Sequence, residues 1–194
     1  MFSTNDLEQL MQKVDEQGWG ILSLPQSFCQ SLLQRFNEVE FSGLLKKADV
    51  TKNDQPQEIR NDFTYWLDSQ QSAAEGELFV LLQLLRDRIK NYFRIPLNDL
   101  ECHFALYPAG HYYKKHVDQT ATNNKRFFSF VIYLNSEWSA TDGGQLVGFD
   151  AETAKPLFTL LPEAGKMVIF RSDIPHEVEV CHKPRKSIAG WLRT

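Results

Sequence analysis

Leu100–Asn135 reads LECHFALYPAGHYYKKHVDQTATNNKRFFSFVIYLN, and the texture of this stretch decides the fold. Three runs, CHFALYP (102–108), YYKKHV (112–117) and RFFSFVIYL (126–134), are rich in aromatic and β-branched residues. Pro, Gly, Asn and Asp separate them. The first residue types suit a pleated, half-buried surface, and the second suit turns. The alternation continues to the end of the chain through QLVGF (145–149), PLFTLL (156–161), KMVIF (166–170), HEVEV (176–180) and KSIAGWL (186–192). Short strands at this spacing predict a double-sheet jelly roll or a barrel.

Upstream the period is helical. Leu7, Leu10, Met11 and Val14 recur at helix spacing after Asn5-Asp6, and Gly18 and Gly20 end the run. WGILSL (19–24) reads as a short strand closed by Pro25. A second helix is expected from about Ser27, with Leu32, Leu33 and Phe36 on one face. Residues 48–58, ADVTKNDQPQE, read as a mobile polar loop. Ser72–Phe93 is a third helix, its stripe of Leu78, Leu81, Leu82, Leu85, Ile89 and Phe93 assigned to the core. No repeat or low-complexity segment marks a boundary. The expectation is an α+β, β-dominated single domain over 1–194, with a helical buttress to about 95 and a jelly-roll core from about 96.

Composition narrows the function classes. The chain has 194 residues, enough for one domain with a substantial core. Its 21 basic and 25 acidic residues leave a net charge of −4, which gives no general electrostatic reason to bind nucleic acid. Cys29, Cys102 and Cys181 are widely spaced and form no CxxC pair, which argues against a disulfide framework or a thiolate zinc site. The N-terminus is acidic and amphipathic, unlike a signal peptide, and no apolar run approaches a membrane span. A soluble cytoplasmic protein is expected.

His116-Val117-Asp118 and a later Ile174-Pro175-His176-Glu177-Val178 carry the chemistry. Two imidazoles and a carboxylate form the facial set that holds a non-haem Fe(II) and leaves coordination positions open. In a strand His116 and Asp118 share a face, and His176 would come from a later strand of the same sheet. Taken singly, each histidine reads as scaffold, His116 beside Lys114 and Lys115 and His176 beginning a strand after Pro175; taken together with Arg185, they read as ligands. His103, His111 and His182 have no partner at ligand spacing and receive no metal role. Arg185 follows His176 by nine residues, a gap suited to one strand running from a metal ligand to a deeper anion-binding cation. Arginine's planar fork suits the far carboxylate of a dicarboxylate co-substrate. Ser187 lies nearby in alternating register, and Tyr133 offers a phenol from a neighbouring strand. Read without His176, Arg185 is one surface charge in HKPRK (182–186).

The ordered set resembles the 2-oxoglutarate and Fe(II)-dependent dioxygenases of prolyl 4-hydroxylase type, in particular the hypoxia-inducible-factor prolyl hydroxylases and their bacterial relatives. The motifs here are YKKHVD (113–118), YLN (133–135), Gly143-Gly144, PHEV (175–178), Arg185 and Trp191, with IRNDFTYW (59–66) upstream. The resemblance covers about residues 59–193. It implies His116, Asp118 and His176 as Fe(II) ligands. It places 2-oxoglutarate on Arg185 and Tyr133, with Tyr107 near the end that chelates iron. Arg60, Asp62, Arg126 and Trp191 are implied at the substrate side, Asp62 and Arg126 as an ion pair at the entrance and Trp191 at the pocket floor. Asp62 and Arg126 as a scaffold salt bridge, and Trp66 and Trp191 as core aromatics, are the plainer alternatives.

The implied reaction consumes O2 and 2-oxoglutarate, releases succinate and CO2, and hydroxylates a prolyl residue of a protein. Ascorbate is a candidate further cofactor and a translation factor a candidate partner. A monomer or weak dimer is expected, without nucleic acid or membrane, and the 48–58 loop is a candidate lid. Ala189, four residues after Arg185, stands where many relatives carry a hydroxyl, and no C-terminal substrate-binding extension follows Trp191. Three rival readings keep the metal: hydroxylation of a free amino acid or other small molecule, a non-catalytic sensor of iron and 2-oxoglutarate, and nucleic-acid demethylation.

Overall fold

The computed structural model describes residues 3–48, 59–119 and 124–194. Three α-helices stand among them: α1 (Thr4–Gln17), α2 (Gln26–Phe41) and α3 (Ala73–Phe93). The strands are β1 (Trp19–Ser23), β2 (Lys46–Lys47), β3 (Phe63–Trp66), β4 (Asp99–Tyr107), β5 (Tyr113–His116), β6 (Arg126–Tyr133), β7 (Leu146–Phe149), β8 (Pro156–Leu160), β9 (Lys166–Arg171), β10 (His176–Val178) and β11 (Arg185–Arg193). A seven-stranded sheet runs β1-β9-β6-β11-β4-β3-β2, and a four-stranded sheet runs β5-β10-β7-β8. The named pairings are antiparallel. This is the double-sheet architecture that the strand spacing predicts.

The larger sheet is apolar on both faces because it is covered on both. Phe128, Phe130 and Ile132 of β6, Met167 and Ile169 of β9, Ile188 and Leu192 of β11, and Cys102 and Phe104 of β4 pack into one core with the helices. Into that core α3 sends Leu78, Leu82, Leu85 and Ile89, and α2 sends Leu32 and Phe36. The intervening residues point the other way, as the two-residue period of a strand requires. Val131, Tyr133, Val168, Phe170, Ala105 and Tyr107 form a second cluster with Leu146, Phe158 and Val178 of the smaller sheet. The functional side chains occupy this space between the sheets.

Two local expectations shift. Helix α1 starts earlier than Asn5-Asp6: Ser3 is its N-cap, and Ser3 and Asp6 bond reciprocally in a capping box. The segment before residue 96 is more than a helical buttress, since it also supplies β1, β2 and β3 to the larger sheet. The loop proposed as a lid lies, apart from Ala48, outside the described residues. Among the described residues no helix is long and apolar enough to cross a membrane. Cys29, Cys102 and Cys181 are all buried and free.

Candidate active site

Strands β5 and β10 lie side by side with His116 opposite His176. Strand β5 ends at His116, so Asp118 lies two residues beyond the strand. Its backbone N–H donates to the Ser172 carbonyl at 3.0 Å. Ligating atoms of His116, Asp118 and His176 all lie within 4.8 Å of one another. His116 Nε2 is 3.6 Å from Asp118 Oδ1, and His176 Nε2 is 3.5 Å from Asp118 Oδ2.

Each imidazole has its tautomer set. His116 Nδ1 donates to the Lys114 carbonyl at 2.9 Å, and His176 Nδ1 donates to the Ile174 carbonyl at 2.9 Å. A carbonyl can only accept, so both protons sit on Nδ1 and both Nε2 lone pairs face the shared centre. Tyr113 stacks on His116 with centroids 3.6 Å apart, and Phe170 meets His176 edge-on at 4.8 Å. Burial pushes His176 down to about 4, which keeps that ring neutral. Burial works to raise the Asp118 pKa; against it the charged forms of His176 and His116 and the bond from the Ser129 hydroxyl hold the carboxyl well below its usual range, and with the rings neutral the Ser129 bond remains. Ser129 Oγ donates to Asp118 Oδ2 at 2.7 Å and lies 2.8 Å from Ser172 Oγ. The residues therefore fit a divalent cation: two imidazole Nε2 atoms and one fixed, ionised carboxylate.

The anion end is built by β11, β4 and β6. Arg185 lies opposite Tyr107 in register, and Ser187 lies opposite Tyr133. Arg185 is buried; its Nε donates to the Gly144 carbonyl at 3.0 Å and its Nη1 to Ser187 Oγ at 2.9 Å. Its Nη2 has no partner, nor does the buried Tyr133 hydroxyl. The Tyr107 and Tyr133 rings lie 5.1 and 5.3 Å from the guanidinium carbon. Burial pushes the Tyr133 phenol up to about 12 and raises Tyr107 too, so both keep their protons. Two unsatisfied buried donors beside a fixed guanidinium fit a carboxylate.

The paired glycines explain how the Gly144 carbonyl reaches Arg185. Gly143 has φ +68°, and a Cβ there would meet the Val180 carbonyl oxygen at 2.0 Å. Only glycine allows this approach to the Val180 backbone.

A cavity of about 390 Å³ links the two ends, lined by His116, Asp118 and His176 on one side and by Arg185, Ser187, Ala189 and Trp191 on another. Three expectations need correction. Arg185 does not lie on the strand of His176: β10 ends at Val178, and the chain crosses to the other sheet before β11 begins at Arg185. The nine-residue gap spans a turn between sheets, and the two side chains meet across the cavity. Asp62 and Arg126 do not pair. Asp62 is fully buried and holds Arg60 through two bonds of 2.6 and 2.7 Å, whereas Arg126 bonds Glu101 at 2.8 Å. Asp62 accordingly lines no entrance and acts through Arg60, which does line the cavity. Tyr107 lines the cavity, its ring 5.1 Å from the Arg185 guanidinium carbon.

Trp191 lines the cavity beneath Arg126, whose guanidinium lies 3.5 Å from its ring centroid, and Trp66 stands half-exposed at the rim. Sequence reasoning missed Ser129 and Ser172, and it named Tyr113 only as the first residue of YKKHVD. Ser129 had left a trace, as the lone serine in the run FFSFVIY (127–133).

Residues 102–193 match the family described as the 2OG-Fe(II) oxygenase superfamily. A crystal structure of a Pseudomonas putida prolyl-4-hydroxylase superposes with a TM-score of 0.89 at 34% identity, covering 97% of this chain and 99% of that one. A prolyl hydroxylase from Trichoplax adhaerens, solved with a peptide fragment of the hypoxia-inducible factor oxygen degradation domain, shares the fold. Its TM-score is 0.87 at 23% identity, over 100% of this chain and 94% of that one. A curated relative, the prolyl 3,4-dihydroxylase OGFOD1 of Ostreococcus tauri, is 31% identical over 109 residues. That match covers 49% of this chain, which spans 21% of the relative's length. The chain belongs to the 2OG-Fe(II) oxygenase superfamily and is of the prolyl-hydroxylase type.

Proposed function

We propose that this chain is an Fe(II)- and 2-oxoglutarate-dependent dioxygenase that hydroxylates a prolyl residue of a protein. The observation that carries it is the joint geometry of one cavity. Two Nε2 atoms and an ionised carboxylate converge at one end, and Arg185 stands at the other with Nη2 unsatisfied, the unpartnered Tyr133 hydroxyl belonging to the ring that packs on its guanidinium. His116, Asp118 and His176 would hold the iron, and Arg185 with Tyr133 the outer carboxylate of 2-oxoglutarate. Iron held there would supply activation of O2, one oxygen atom going to the succinate formed with CO2 from 2-oxoglutarate and the other converting a substrate C–H bond to C–OH. The protein's part is to bind and orient: Ser129 fixes the ligating carboxylate, and Tyr113 and Phe170 fix the imidazole planes.

The prolyl assignment is supported by the likeness to the Pseudomonas putida prolyl-4-hydroxylase, which runs through nearly the whole of both chains. The aromatic wall of Trp66 and Trp191, with Arg60 and Arg126 beside it, suits a peptide segment. A translation factor is the favoured partner class, on the resemblance to bacterial relatives.

The test is succinate release by anaerobically iron-loaded protein with 2-oxoglutarate, O2 and a panel of proline-containing peptides, with free L-proline alongside. The expected product is a peptide heavier by one oxygen atom on proline. Oxidation of free proline alone would replace the protein substrate with a small molecule. His116→Ala and His176→Ala are each expected to abolish turnover, and full activity in either would overturn the ligand assignment.

A further inference from the structure

His103 has no role in the chemistry just described. It lies on β4 between Tyr107 and Glu101, on the face that lines the cavity, and is 4% exposed. Its register partner on β11 is Ala189, which presents only a methyl group. His103 is therefore the polar side chain of that pair. Its ring lies 4.9 Å from Trp66 and 5.5 Å from Trp191, centroid to centroid. Two polar atoms of this aromatic wall, His103 Nδ1 and Trp191 Nε1, are buried without a hydrogen-bond partner. A protein does not leave such atoms unpaired without cost, so both point to a group that arrives with a ligand.

The position of the wall says which ligand. Along β11 the cavity-facing residues run from Arg185, through Ser187 and Ala189, to Trp191 beneath Arg126. The co-substrate's carboxylate belongs at the Arg185 end. His103 and Trp191 lie towards the other end, beside the half-exposed Trp66, where a polypeptide would enter.

We infer that His103 and Trp191 form a two-point hydrogen-bond site for an uncharged peptide group of the substrate, next to the residue that is oxidised. This rests on the reading of the substrate as a prolyl residue within a polypeptide, and it makes His103 a specificity-determining residue. The indole N–H donates to a peptide carbonyl. The imidazole nitrogen accepts from or donates to a neighbouring peptide group, according to its tautomer. Burial, reinforced by Arg60 and Arg126, pushes His103 down to about 4, so the ring stays neutral near pH 7 and does not select a carboxylate.

Steady-state kinetics with a proline-containing peptide test the pair. His103→Leu removes both ring nitrogens, Trp191→Phe keeps an aromatic ring without the N–H, and His103→Asn restores a polar atom at the place of Nδ1. The KM for peptide is expected to rise about tenfold in each of the first two and to return close to wild type in the third. The KM for 2-oxoglutarate stays at the wild-type value throughout. An unchanged peptide KM, even with a lowered melting temperature, would make His103 a packing residue and overturn the inference while the prolyl reading stands. Equal rises in both KM values would also overturn it. No proline product from the wild-type enzyme would overturn both.

Discussion

Asp118 shows how much of the site is decided one atom at a time. Its carboxylate must stay ionised and must not rotate, and the Ser129 hydroxyl serves both needs through a 2.7 Å bond to Oδ2. Removing a partner that orients a ligand typically costs 10–100-fold in metal affinity. Ser129→Ala is expected to weaken Fe(II) binding about tenfold, read by metal titration under anaerobic conditions; unchanged affinity would show that Asp118 is held by its backbone alone. At the other end, Arg185→Ala is expected to raise the KM for 2-oxoglutarate on the order of 100-fold, since it removes a buried charged donor from a carboxylate. Metal binding measured without the keto acid should persist in that variant. Loss of both together would mean that Arg185 holds the scaffold through Gly144 and Ser187 and has no separate role in binding.

At the scale of the element, β11 bears most of the construction. It pairs with β4 on one side and β6 on the other, sends Ile188 and Leu192 to the helices, and sends Arg185, Ser187, Ala189 and Trp191 to the cavity. Gly190 sits in its middle on the helix side. A Cβ there would lie 2.4 Å from Phe130 Cζ, 2.5 Å from the Glu101 carbonyl oxygen and 2.6 Å from Cys102 Cβ. Two of these neighbours cannot swing away, because one is backbone and the other is a Cβ on a paired strand. Gly190→Ala is expected to lower the melting temperature by roughly 3–10 °C, the range set by overpacking costs of about 1–3 kcal/mol in a chain of this size. A melting curve that superposes on the wild type's would show that β11 can shift without disturbing its neighbours.

Over the whole molecule, the site joins the two sheets. Metal ligands come from the smaller sheet and its edge, and the anion cradle comes from the larger one. Ligand should therefore tie the sheets together. Fe(II) or Mn(II) with 2-oxoglutarate, each at about a hundredfold over its Kd, is expected to stabilise the fold by about 2.7 kcal/mol per independent site and to raise the melting temperature by several degrees. The 2-oxoglutarate increment should vanish when the metal is chelated, because the co-substrate would then lose one of its two anchors. An equal shift without metal would place its binding site elsewhere.

Much of this was legible in the chain itself. The strands from CHFALYP onward show in their composition, because β-branched and aromatic runs between turn residues have little else to form. Helix α3 shows in its leucine spacing. His116, Asp118, His176 and Arg185 stand out by residue type and order, since few side chains can bind a divalent cation or a buried carboxylate. Tertiary structure alone decided how they meet. The Asp62 carboxylate turned to Arg60 instead of Arg126, and Arg185 reached the cavity from the opposite sheet. His103 became an unpaired polar group between two tryptophans. Strand periodicity sets which face a side chain points to, but partners across a cavity depend on which strands lie side by side, and that is fixed only when the two sheets close around their common core.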